Sequence, residues 1–229
     1  MFSIAPPFWC QSDYLTRLQT DFAGSSSADQ SFYAIGSGTT VGTVTVYAGY
    51  LEVILDSTTT KTLSWSDASM ELTGSTNLCA EFLVTLEETT ANPPSGVKFA
   101  QLTFGSSGGI DFQINGYGGA VTGNEFQINE SGSIYSGTTD AAFSPTDHHF
   151  AVQFRSTGVF DIYIDGSRVV TSRAYTGGAN HTVQLGGSGT AGQTVTCKFT
   201  GVRVRRADVY SGASVTPPSS PADWGSAYQ

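Results

Sequence analysis

Apolar and polar residues alternate with a period of two along most of this 229-residue chain. Phe150, Val152 and Phe154 share one face of an extended segment, and Phe160, Ile162 and Ile164 share one face of the next, as half-buried strands require. Asp165-Gly166 interrupts the pattern before Val169 and Val170, and Asp-Gly between alternating runs is the strongest short hairpin signal. Val183 and Leu185 mark a strand that closes on Gly186-Gly187. Val195, Cys197 and Phe199 occupy odd positions whereas Val202 and Val204 occupy even ones. The inward face therefore changes parity near Thr200-Gly201, which predicts a bulge at Gly201.

Upstream, strands are predicted over 41–46, 50–55, 62–65, 79–86 and 97–104, separated by clusters of Gly, Ser, Thr, Asn and Pro. Within 79–86, Ala80, Phe82, Val84 and Leu86 face one way, with Glu81 and Thr85 on the opposite, polar side. Phe112-Gln113-Ile114-Asn115 recurs as Phe126-Gln127-Ile128-Asn129, and the two copies are expected to pair as a hairpin around 116–124. No helical period exceeds a turn or two. The fold class is all-β, an antiparallel two-sheet sandwich, with Phe82, Val84, Phe112, Phe154, Phe160, Ile162 and Phe199 in its core. Strands follow one another without a linker-like gap, so a single sandwich is expected over 15–210, preceded by an apolar arm over 1–14 and followed by an extended, proline-bearing tail over 211–229.

Composition fits a turn-rich β protein, with 27 glycines, 13% charged and 12% aromatic residues. The net charge of −9 argues against a generic nucleic-acid binder. Charge is unevenly spread: three basic residues against fifteen acidic ones before Phe150, a net of −12, and seven against four from Phe150 onward, a net of +3. Arg203, Arg205 and Arg206 form the tightest basic cluster. Cys10, Cys79 and Cys197 lack metal-ligand spacing, and the two in strand patterns read as reduced core thiols. No segment approaches the roughly 20 apolar residues of a membrane helix, and the N-terminus has no positively charged leader. A protein made and assembled in the cytoplasm is expected, without membrane or nucleic-acid partners.

The order of motifs from His148-His149 through Tyr163-Ile164-Asp165-Gly166, Leu185-Gly186-Gly187, Phe199-Thr200-Gly201 with Arg203, Tyr210-Ser211-Gly212 and Pro217-Pro218 to Pro221 resembles the laminin-G-like, concanavalin-A-like jelly rolls of tailed-bacteriophage virion proteins. Cys79 to Glu88 resembles that family's central strand, and the segment from Leu15 to Phe32 its opening one. The resemblance implies a non-enzymatic virion component, a capsid decoration or cement protein or a tail-surface protein, whose partners are other virion proteins and copies of itself. The chain departs from the family at Arg203 to Arg206, where an acidic pair usually follows the Phe-x-Gly turn. On this reading Phe2, Ile4, Phe8 and Trp9 of the arm, with Arg203, Arg205 and Arg206, form the attachment surface.

The alternative is a carbohydrate-binding module for host surface glycans. Such a site needs an aromatic platform beside amides or carboxylates on loops, and Asn115, Tyr117, Asn124, Tyr135, Tyr175 and Asn180 are the candidates. Catalytic motifs are weak. Gly105-Ser106-Ser107-Gly108-Gly109 matches a nucleophile elbow, and 187–192 a dinucleotide loop, but strands rather than helices are predicted after both. No Glu-x-Asp-x-x-Glu string of the glycosidases on this scaffold occurs. His148 and His149 point to opposite faces of one strand, so they cannot readily share a metal, and a hydrogen-bonded structural role is expected. No cofactor is expected; Asp161 and Asp165 offer the oxygens calcium takes, but without the spacing of a calcium loop.

Overall fold

A computed structural model of the chain describes residues 16–20, 40–41, 45–47, 49–56, 58–66, 77–88, 95–104, 109–115, 125–130, 132–137, 146–175, 181–189 and 194–220. Fifteen strands are found there, and no helix. They are β1 (Thr16–Thr20), β2 (Thr40–Val41), β3 (Thr45–Tyr47), β4 (Tyr50–Leu55), β5 (Lys61–Ser66), β6 (Leu78–Glu88), β7 (Ser95–Phe104), β8 (Ile110–Asn115), β9 (Glu125–Asn129), β10 (Ser133–Ser136), β11 (His148–Arg155), β12 (Val159–Ile164), β13 (Ser167–Ala174), β14 (His181–Gly187) and β15 (Val195–Arg205). An eight-stranded sheet runs β13-β12-β11-β6-β15-β4-β3, with β1 also on β15, and a seven-stranded sheet runs β10-β9-β8-β7-β14-β5-β2. All pairings are antiparallel.

The alternation read from the sequence supplies the core. Phe82, Val84, Phe112, Phe154, Phe160, Ile162 and Phe199 are all buried between the sheets. Phe82 is the hub: its ring lies 5.1 Å from Phe112 in edge-to-face geometry and 5.1 Å from the stacked ring of Phe150. Such pairs add about 0.5–1.5 kcal/mol each beyond the area they bury.

Local irregularities fall where parity and glycine placed them. Between β15 and β6 the register slips between Phe199 and Gly201, the extra residue being Thr200, whose hydroxyl donates to Asp147 at 2.6 Å. This slip turns Val202 and Val204 inward and leaves Arg203 and Arg205 on the outer side. Asp165 and Gly166 take φ of 48° and 80°, the left-handed pair that a two-residue hairpin between β12 and β13 requires. The Phe-Gln-Ile-Asn copies pair as β8 and β9, with Phe112 opposite Ile128 and Ile114 opposite Phe126.

Two expectations need correction. The strand expected over 41–46 is two strands, β2 pairing with β5 in one sheet and β3 with β4 in the other. The apolar parity had switched, from Val41 on an odd position to Val44 and Val46 on even ones, and one continuous strand cannot satisfy both. Glu81, expected on a polar outward side, is 1% exposed, because the segment after β15 folds back over that face.

Candidate functional site

The sandwich has two outer faces, and they differ in what covers them. On the eight-stranded sheet, residues 207–217 run back across β6, β11, β12 and β13. Gln153 fixes the start of this strap: its amide donates to the Ala207 carbonyl at 3.0 Å and its carbonyl accepts from the Val209 and Tyr210 amides. Arg155 ties Asp161, Asp208 and the Tyr210 carbonyl together. The Tyr163 hydroxyl donates to the Gly212 carbonyl at 2.9 Å. The strap ends along the edge strand β13, where Arg168 N donates to the Ala213 carbonyl and Val215 N to the Gly166 carbonyl. A second small apolar cluster, Cys79, Ala151, Tyr163 and Tyr210, lies sealed beneath it.

The centre of that sealed face is ionic. Glu81 accepts from Arg203 Nε at 2.7 Å, from the Tyr210 hydroxyl at 2.6 Å and from His149 Nε2 at 2.9 Å. An ionised carboxylate only accepts, so His149 carries its proton on Nε2. Burial opposes the charged form of Glu81, but the His149 hydrogen bond and the Arg203 charge outweigh it and hold the carboxyl below its ordinary value. Burial, reinforced by the Glu81 charge and hydrogen bond, pushes the Tyr210 hydroxyl far up, so it remains a donor. With Glu81, His149 and Arg203 all 5% exposed or less, no substrate can reach this constellation, and it serves to fasten the strap.

The outer face of the seven-stranded sheet is different in kind. Cross-strand register places Ser64, Gln184, Gln101, Asp111 and Asn129 side by side on β5, β14, β7, β8 and β9. A second row sets Lys98 beside Gln113 and Gln113 beside Gln127, and Thr182 stands opposite Thr103. Every one of these side chains keeps partial solvent access. Gln101 Nε2 donates to Asp111 Oδ1 at 2.6 Å, and Lys98 Nζ lies 3.6 Å from the same oxygen. Asn129 Oδ1 is itself buried and has no hydrogen-bond partner among the described residues. Across the strand direction the five-residue row spans about 19 Å, taking strands about 4.8 Å apart.

The geometry rearranges the sequence-derived candidates. Arg203 is only 5% exposed and paired with Glu81, so it is withdrawn from any attachment surface; its charge is consumed within the chain. Arg205 and Arg206 are half-buried beside it. Tyr175 packs edge-on against Phe154 at 5.2 Å and donates its hydroxyl to the Arg155 carbonyl, and Tyr135 packs against the main core. These two rings underlie the surface rather than form a platform on it. Asn115 ends β8 opposite Glu125. Phe2, Ile4, Phe8, Trp9, Cys10, Tyr117, Asn124 and Asn180 lie outside the described residues, and so does the side chain of Asn115. His148 and His149 have the hydrogen-bonded roles expected of them: His148 Nδ1 lies 2.7 Å from Asp165 Oδ2, and His149 N donates to Asp165 Oδ1. Asp161 accepts from Ser172 N and Arg155, and no cluster of three or more His, Cys, Asp or Glu suited to a metal occurs among the described residues.

No family model matches the chain, and no curated protein matches it. Solved structures do. The carbohydrate recognition domain of Emp46p, in a metal-free form, superposes with a TM-score of 0.57 at 10% identity, covering 84% of this chain and 96% of that one. The exoplasmic/lumenal domain of VIP36, in a Ca2+/Man2-bound form, gives 0.56 at 10% identity over 90% and 96% of the two chains. A GH43 protein from Bacillus licheniformis gives 0.54 at 10% identity, covering 83% of this chain but 39% of that one. None of the three is described as a virion protein. At these identities the likeness establishes the fold, and the fold of this chain is the concanavalin A-like jelly roll.

Proposed function

We propose that this chain is a carbohydrate-binding module whose ligand lies on the outer face of the seven-stranded sheet. The carrying observation is the contrast between the two faces: one is sealed by the chain's own strap, while the other presents rows of Gln, Asn, Asp, Ser and Thr side chains with solvent access. Amides and hydroxyls both donate and accept, which matches the hydroxyl groups of a sugar. That the fold also serves carbohydrate recognition domains supports the reading. Binding without turnover is the corresponding mechanism. Asp111 is the one carboxylate among the described strand side chains of this face, whereas glycoside hydrolysis ordinarily needs two flanking the scissile bond.

Titration calorimetry of the full chain against a panel of oligosaccharides tests this. Binding should be present in the parent protein and lost in Gln113→Ala/Gln127→Ala, whose side chains are directly opposite one another on β8 and β9, with unchanged circular dichroism. Ile54→Ala, on the other sheet and 40% exposed, should bind normally. Binding that survives the double substitution places the ligand elsewhere and overturns the proposal.

A further inference from the structure

Resting on that reading, we infer that the ligand is an uncharged, linear polysaccharide laid across the strands, and that Asp111 is the specificity-determining residue that turns anionic chains away. Two observations carry this. Ser64, Gln184, Gln101, Asp111 and Asn129 come from five neighbouring strands and lie in one register, so the array of partners is a line of about 19 Å rather than a cup around a single sugar. Its ends are not closed by any of the described strands, since β2 and β10 continue the sheet on either side. A line of this length contacts several consecutive sugar units of an extended chain.

The second observation is charge. Lys98 and Asp111 are the ionisable side chains among those described on this face, and they are 3.6 Å apart with side-chain exposures of 25% and 24%. The one cation among these described side chains is therefore already neighbour to a carboxylate, and that carboxylate would face an incoming uronate or sulfate directly. An anionic polymer would lose hydration without gaining a counter-charge. A neutral chain meets no such penalty, and its hydroxyls can donate to and accept from the partly exposed amides and hydroxyls of the two rows.

Asp111→Asn is the informative variant. It keeps an oxygen to accept the Gln101 amide, removes the negative charge and leaves Lys98 without its anionic neighbour. The full chain and this variant are titrated with neutral linear oligosaccharides (β-glucan, xylan and mannan series) and with acidic ones (polygalacturonate and alginate series). The parent protein should bind a neutral series, with affinity rising from disaccharide to longer oligomers, and should ignore the acidic ones. Asp111→Asn should gain roughly tenfold or more for an acidic series, and 1 M salt should abolish the gain. A parent protein that prefers polyuronates, a variant that gains nothing, or a monosaccharide bound as tightly as a hexamer overturns this inference while leaving glycan binding standing. Failure to bind any series overturns glycan binding as well.

Discussion

Replacing Glu81 by Gln should destabilise the protein heavily at neutral pH and very little in acid. Glu81 lies on the central strand β6 at 1% exposure and receives Arg203, His149 and Tyr210. A neutral amide leaves the guanidinium of Arg203, itself 5% exposed, buried without a counter-charge, and it offers one oxygen to three donors. Removing one member of a buried ion pair costs about 3–5 kcal/mol. For a chain of this size each kcal/mol moves the midpoint by about 2–4 °C, so a fall of about 6–20 °C is expected. The pH dependence follows from linkage. The folded-state pKa of Glu81 is below its ordinary value of 4.5, so the unfolded chain binds the proton first. The stabilisation is full above pH 4.5 and drains away as the pH falls through the lower, folded value. The parent and variant curves should therefore converge in acid. Urea unfolding followed by circular dichroism at a series of pH values measures both effects. A neutral-pH loss below about 1 kcal/mol, or a gap that stays constant into acid, would refute the account of this face.

Three further outcomes follow from the packing. Ile162→Ala removes a side chain with no exposed surface between the sheets and should cost about 2–5 kcal/mol in the same urea assay. Gly166 has φ of +80° and its absent Cβ would sit 2.2 Å from the Val215 carbonyl oxygen, so Gly166→Ala should lose about 1–3 kcal/mol and admit protease within 213–217. Deleting residues 208–229 should expose Cys79, now buried under the strap with Tyr163 and Tyr210. In a Cys10→Ser background one thiol should then react with Ellman's reagent, Cys197 remaining protected inside the main core; no reaction would mean that the strap is not what shields Cys79.

The core was legible because the strands carry their large apolar residues mainly on the face toward the other sheet, which leaves a period of two that survives in the sequence. Even the slip between Phe199 and Gly201 was written there, as a change from odd to even apolar positions. The division of 41–46 between two sheets is written in the same code, since Val41 and Val44 differ in parity, although so short a segment resembles a single strand by composition. The candidate site was not legible in this way. Ser64, Gln184, Gln101, Asp111 and Asn129 become neighbours only through a strand order, β5-β14-β7-β8-β9, that local periodicity does not encode.

Alternation distinguishes inside from outside; it does not say which outside is covered. Both sheets show the same polar positions on their outer strands, yet one face is solvent-accessible and the other is buried under an irregular segment with no period of its own. Residue type does separate them. The covered face carries Glu81, His149, Gln153, Asp161, Tyr163 and Arg203, groups that can satisfy one another and the carbonyls and amides of a strap once water is excluded. Beside the partly exposed pair of Lys98 and Asp111, the open face carries Gln101, Gln113, Gln127, Asn129, Gln184, Thr103 and Thr182, which need no charged partner to remain hydrated and which present donors and acceptors together. A mutually satisfied network of ionic and aromatic groups, as around Glu81, thus goes with the sealed face, because a charge buried without its partner is too costly to keep. Amide and hydroxyl positions in register across many strands mark a face left open to solvent, the face on which we propose that a glycan binds.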